Sequence, residues 1–181
     1  MNKIFSSNFF VKFKAVNADD LIKFIDGYDE TSIDNSQFTW GKMCSSNKIS
    51  LKWEDTMDLI SPNLEYFAND IKSYFNYILY NPWINLYKRG DHQELHSHYP
   101  SHMSCVFFAN SGEGFSKFYC KDRNSTNVHP RLAKVIGYNQ EIVVQYNQGD
   151  ILFFPSHILH GVSPHNSDIV RKTLSFNFDI K

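Results

Sequence analysis

The chain predicts a mainly β protein, a sandwich or short barrel of about seven strands behind a layer of N-terminal helices. Three observations carry this expectation. Short apolar segments separated by turn residues follow one another from residue 82 towards the end of the chain. Helical periodicity is confined to the residues before Pro82. The 16 Phe, 10 Tyr and 3 Trp supply side chains large enough to fill the space between sheets.

Residues 3–14 alternate loosely and are aromatic, as an edge strand does. Asn17-Ala-Asp-Asp then opens a short helix through Ile22, Phe24 and Ile25, with Gly27 at its end. From Pro62 to about Asn81, Leu64, Phe67, Ile71, Tyr74, Phe75, Ile78 and Leu79 recur at helical spacing, with proline near the first turn. That pattern predicts a second helix over 62–81. Strands are predicted at 82–88, 94–98, 103–109, 115–120, 141–146, 150–154 and 170–179. Lys121 to about Pro130 reads as an exposed loop. No internal repeat appears, and 181 residues form one domain, with helical support over about 15–81 and a β core over about 82–180.

Composition bounds function by exclusion. A net charge of −1 with no block of Lys and Arg argues against a protein built to grip nucleic acid. Cys44, Cys105 and Cys120 are odd in number and form no CxxC pair, which fits free thiols in a reducing compartment. There is no apolar run of about 18 residues. The expectation is a soluble cytoplasmic protein with no membrane partner.

The chemistry-bearing residues lie in the run from Gly90 to His96-Ser-His98, answered by His160 after Gly149-Asp-Ile-Leu-Phe-Phe-Pro155. On a strand, residues i and i+2 share a face, so His96 and His98 present two imidazoles together and His160 can close a metal site. Three protein ligands leave positions open for chemistry. A histidine by itself is more often a hydrogen-bonded imidazole, and His92, His129, His157 and His165 are read so. His102, four residues beyond His98, is read by default as an outward-facing strand residue. A fourth ligand or a substrate contact are its other readings.

These residues resemble the iron- and 2-oxoglutarate-dependent oxygenases, in particular a small branch similar to prolyl hydroxylase catalytic domains. The resemblance covers roughly residues 83–179. Trp83-Ile-Asn-Leu-Tyr87-Lys-Arg-Gly90 is similar to the strand and turn leading into the family's metal motif, and His96-Ser-His98-Tyr-Pro100 to the motif itself. Ser104-Cys-Val-Phe-Phe108 and Gly149-Asp150-Ile-Leu-Phe-Phe154-Pro155 resemble the core strands that follow. His160 stands at the distal ligand, and Arg171-Lys-Thr173-Leu-Ser175-Phe-Asn177 resembles the last strand.

The resemblance implies a double-stranded β-helix, the jelly roll shared with cupins. It implies Fe(II) on His96, His98 and His160, with 2-oxoglutarate as cosubstrate and O2 as oxidant. Arg171 and Thr173 would hold the far carboxylate, and Tyr87 and Asn85 would make further contacts. The implied reaction releases succinate and CO2 and hydroxylates an unidentified substrate, with a peptide or protein side chain favoured. Arg171 also has a physical case. Its planar fork pairs with both oxygens of a buried carboxylate, and the i+2 hydroxyl of Thr173 faces the same way. His98 departs from the family, which usually writes Asp or Glu there. A neutral imidazole in that place leaves more positive charge at the metal.

A cupin offers the alternative reading: a metal-dependent enzyme without 2-oxoglutarate, or a non-catalytic metal-binding module. Its pattern expects Glu near 102 or 103 and Gly at 157, where this chain has His102, Met103 and His157. It also gives Arg171 no role. Loops 110–114 and 121–140, with Lys121, Arg123, Lys134 and Tyr138, are expected to rim the opening.

Overall fold

The computed structural model describes residues 10–32, 47–121, 129–136 and 141–181. Strand β1 (Val11–Lys14) alternates half-buried and exposed residues, as an edge strand should. The rest of the predicted 3–14 strand, residues 3–9, lies outside the described residues. Helix α1 (Ala18–Asp26) buries Ala18, Leu21 and Ile25, carries Asp19 and Asp20 in its first turn, and ends at Gly27 as expected. Asn17 does not cap it with its side chain. Its amide instead donates to the Leu59 carbonyl and accepts from Asn63 Nδ2 at 2.7 Å, clamping the two helices together.

After β2 (Asn47–Ser50), helix α2 runs over Met57–Asp70. The expectation of a helix over 62–81 is corrected at both ends. The helix starts earlier because the Thr56 carbonyl accepts from the Leu59 and Ile60 amides. Pro62 therefore sits inside the helix, where its missing N–H forfeits one backbone bond. It ends at Asp70 because Lys72 takes a left-handed φ of 52° and Ser73 N–H turns back to the Ala68 carbonyl. The apolar residues beyond go into strand β3 (Tyr77–Leu79). A short apolar run does not by itself distinguish helix from strand.

The remaining elements are β4 (Trp83–Tyr87), β5 (Gln93–His96), β6 (Met103–Phe108), β7 (Phe118–Lys121), α3 (Pro130–Ile136), β8 (Glu141–Val144), β9 (Asp150–Pro155), β10 (Leu159–Val162) and β11 (Arg171–Ile180). Strands β2, β3 and β10 and helix α3 were not expected from sequence. Helix α3 takes up part of the stretch read as loop. Cys44, Arg123 and Tyr138 fall outside the described residues.

The strands form two antiparallel sheets. The larger has the order β1-β9-β6-β11-β4-β2 with β3 beside β11, and the smaller the order β5-β10-β7-β8. Alternation sends successive residues of the large sheet into two different cores. Phe107, Ile151, Phe153, Leu174, Phe176 and Phe178 pack against Leu21, Leu64 and Phe67 of the helices. Tyr87, Val106, Phe108, Leu152 and Phe154 face Phe118, Cys120 and Val162 of the small sheet. This is the jelly roll with supporting helices. Cys105 and Cys120 are buried free thiols, and burial pushes Cys120 up to about 12. No described helix is long and apolar enough to cross a membrane.

Phe153 couples sheet to helices. It is fully buried, stacks on Phe67 at 4.5 Å and also meets the rings of Phe13, Phe176 and Phe178. Phe153→Ala is expected to cost about 3–5 kcal/mol of stability, measured by urea denaturation of the metal-free protein.

Candidate metal centre

The small sheet builds one wall of the site. Strands β5 and β10 pair with His96 directly opposite His160, bringing their rings to 4.2 Å. His98 does not arrive by strand alternation, since β5 stops at His96. Its backbone N–H donates instead to the Ser156 carbonyl at 2.9 Å just after β9, and its ring lies 4.9 Å from His96 and 5.0 Å from His160. One ligand atom from each of the three lies within 4.8 Å of the others. Close approach depends on Gly161, where a Cβ would stand 2.8 Å from the Tyr119 ring and 3.0 Å from the Gln93 carbonyl.

Hydrogen bonds select the ligand atoms. His96 Nδ1 lies 2.9 Å from the Glu94 carbonyl and His160 Nδ1 lies 3.0 Å from that of Ile158. A carbonyl only accepts, so each Nδ1 carries the proton and each Nε2 presents a lone pair. Burial holds all three imidazoles below the usual histidine range, His98 to about 3, and repulsion among them adds to this for His98 and His160. They are neutral ligands at neutral pH.

The large sheet builds the facing wall. Arg171, Thr173 and Ser175 of β11 are buried and pair in register with Tyr87, Asn85 and Trp83 of β4. The Arg171 guanidinium carbon lies 4.9 Å from the Tyr87 ring, 5.4 Å from that of Tyr146 and 5.7 Å from that of Phe108. This is a cation–π cage. Its Nε donates to the Tyr146 hydroxyl at 2.9 Å, and that hydroxyl donates to the Ser116 carbonyl at 2.9 Å. The two terminal nitrogens are buried without a partner among the described residues. Arg171, Thr173, Asn85 and Tyr87 line one pocket with the three histidines.

His102 is placed elsewhere. Its N–H donates to Asp179 Oδ1 and its Nδ1 accepts from the Ile180 N–H, at the far end of β11. His165 is a hydrogen-bonded core imidazole between the Ser116 amide and the Ile169 carbonyl. Sequence reasoning missed Gln93, which accepts from the Tyr87 hydroxyl at 3.0 Å and brings its amide nitrogen to 3.2 Å from His96 Nε2. A metal on that nitrogen would replace the latter contact. It also missed Tyr146, whose partner lies 25 residues away and leaves no local signal.

A jelly roll with three histidines facing a buried, anion-seeking arginine defines a metal-dependent enzyme of the cupin-like architecture. Residues 81–177 match the family described as "Putative 2OG-Fe(II) oxygenase", and the chain belongs to that family. It is a 2-oxoglutarate-dependent oxygenase, an oxidoreductase using Fe(II), 2-oxoglutarate and O2. No curated protein matches the sequence. Solved structures are similar in fold. A Pseudomonas putida prolyl-4-hydroxylase is 12% identical with a TM-score of 0.66, covering 97% of this chain and 94% of its own. A Trichoplax adhaerens prolyl hydroxylase, in complex with a hypoxia inducible factor peptide fragment, is 11% identical with a TM-score of 0.67, covering 96% and 84%. HygX from Streptomyces hygroscopicus, with nickel, 2-oxoglutarate and hygromycin B bound, is 10% identical with a TM-score of 0.65, covering 95% and 83%.

The residues present fit both groups. Neutral imidazoles suit iron and other late divalent metals, and an unpaired guanidinium fork suits a carboxylate. The depressed imidazoles also set a pH dependence. Below about 6.5 the unfolded chain takes up protons that the buried triad refuses, so the metal-free protein should lose stability as pH falls from there towards 3. Each histidine contributes up to about 1.4 kcal/mol per pH unit. Urea midpoints across this range should show a slope, and His98→Leu should flatten it.

Proposed function

We propose that His96, His98 and His160 hold Fe(II), that Arg171 and Thr173 hold the far carboxylate of 2-oxoglutarate, and that the enzyme hydroxylates a peptide or protein side chain. The observation that carries this reading is the unpartnered Arg171 fork, buried in the pocket that the histidines line. An isolated buried cation is costly, and a bidentate carboxylate is its natural complement.

When bound, iron and 2-oxoglutarate supply an oxidative decarboxylation that yields succinate and CO2 and oxidises a nearby C–H bond. The chain supplies position. Tyr146 fixes the guanidinium through Nε, so both terminal nitrogens point at the cosubstrate. The Thr173 hydroxyl and the Asn85 amide, both buried on the same wall, meet the remaining lone pairs of the far carboxylate. Tyr87 serves through its ring under Arg171 and steers Gln93 through its hydroxyl. Phe118, Phe154 and Val162 exclude water beside His160.

The prolyl hydroxylases among the similar structures, one of them in complex with a peptide, support the substrate class. Phe67 of α2 stacked on Phe153 of β9 supports reading helices and sheets as one domain. The free buried thiols support a reducing, cytoplasmic setting.

Arg171→Met should weaken 2-oxoglutarate binding roughly ten- to hundredfold, read by anaerobic titration of the charge-transfer band, while iron stoichiometry holds. His160→Ala should abolish stoichiometric iron binding. Unchanged 2-oxoglutarate affinity in the first variant refutes the assignment. Tyr146→Phe removes only the hydroxyl that orients Arg171, so it should raise the 2-oxoglutarate dissociation constant about fivefold without altering iron binding.

A further inference from the structure

The pocket has a second polar end. Inward residues of β11 continue past Arg171 and Thr173 to Ser175 and Asn177, which pair in register with Val106 and Ser104 of β6. Across β4, Ser175 stands opposite Trp83. The Ser104 hydroxyl donates to Asn177 Oδ1 at 2.8 Å and lies 2.7 Å from that of Ser156. This fixes the Asn177 carboxamide with its oxygen committed and leaves Nδ2 with no protein partner among the described residues. Ser175 is 5% exposed, and its hydroxyl likewise has no partner among them. Both residues line the pocket.

This corner adjoins the metal ligands. The Trp83 ring is 5.5 Å from that of His98, and Ser156, which closes the serine pair, accepts the His98 backbone N–H. Among the described residues lining the pocket there is no Asp or Glu. Lys48 covers the Trp83 ring at 4.5 Å, and Arg171 is at the other end. An ammonium group would find no partner here, and an aliphatic group would strand a buried hydroxyl and an amide N–H.

We propose that Ser175 and Asn177 form the substrate subsite and bind a neutral carboxamide against Trp83. The carbonyl accepts from Asn177 Nδ2, the Ser175 hydroxyl meets the amide N–H, and the indole packs on the amide plane. The assignment rests on Arg171 taking the cosubstrate, which leaves this end for the substrate. A peptide bond and a free or side-chain amide share this chemistry.

The test uses Mn(II)-loaded full-length protein with 2-oxoglutarate, reading relaxation of probe protons by the metal in ligand-detected NMR. The probes are N-acetylalanine N-methylamide, propionamide, methyl propionate and propionate. Amides should bind about five- to tenfold more tightly than the ester or the acid. Tighter binding of the blocked amino acid supports a peptide source, and tighter binding of propionamide a free or side-chain amide. Ser175→Ala and Asn177→Asp should each weaken amide binding by a similar factor, with thermal unfolding and 2-oxoglutarate affinity unchanged. Equal binding of amide and ester, retained amide binding in both variants, or no bound amide at millimolar concentration overturns the proposal. So does a parallel loss of 2-oxoglutarate affinity in the two variants, which would move these residues to the cosubstrate. Failure of the cosubstrate reading shows separately, as 2-oxoglutarate affinity that Arg171→Met leaves unchanged.

Discussion

A guanidinium that is 1% exposed and has two nitrogens unpaired among the described residues is a standing electrostatic cost, and much of the pocket is arranged around it. Three aromatic rings cage it and one tyrosine hydroxyl holds its Nε, so the cation is oriented without being neutralised. A carboxylate on Arg171 would have nearly all the charge pairing its fork can offer. That requires the fork to be stiff, and the stiffness comes from β11, which pairs with β4 over Arg171–Ser175 and with β6 from Thr173 onwards.

The same strand links fold to function by alternation. One face of β11 gives Leu174, Phe176 and Phe178 to the helical core, where Phe67 and Phe153 stack. The other gives Arg171, Thr173, Ser175 and Asn177 to the pocket. A one-residue slip would exchange the two sets, burying polar groups among phenylalanines and lining the metal pocket with hydrocarbon. The apolar face therefore fixes the register on which the polar face depends.

Part of this was legible in the sequence as short-range periodicity and part as family resemblance. His96 and His160 come from spacing within or just after strands, Arg171 and Thr173 from the resemblance of the last strand to the family's, and the structure brings all four to one cavity. His98 also reaches the cavity, but by a backbone hydrogen bond to Ser156 rather than by strand alternation, which the i, i+2 rule could not show. The end of α2 was hidden because Lys72 turns left-handed while the apolar pattern runs on unbroken. Gln93 and Tyr146 were invisible for a different reason. Gln93 meets Tyr87, and Tyr146 meets Arg171, only once the chain has folded the two sheets together.

His98 in place of a carboxylate changes the charge balance of the whole cavity. A divalent iron held by three neutral imidazoles would keep its full charge, the 2-oxoglutarate dianion would offset it, and Arg171 would remain as an excess positive charge with no acidic side chain among the described lining residues to compensate. Between two packed sheets, that excess would repel a cationic group and make an anionic group compete with the cosubstrate for Arg171. A neutral group with a dipole escapes both penalties. The hydroxyl and amide at the Ser175–Asn177 end offer such a group its hydrogen bonds, so the ligand set on one wall and the polar ladder on the other favour the same kind of substrate.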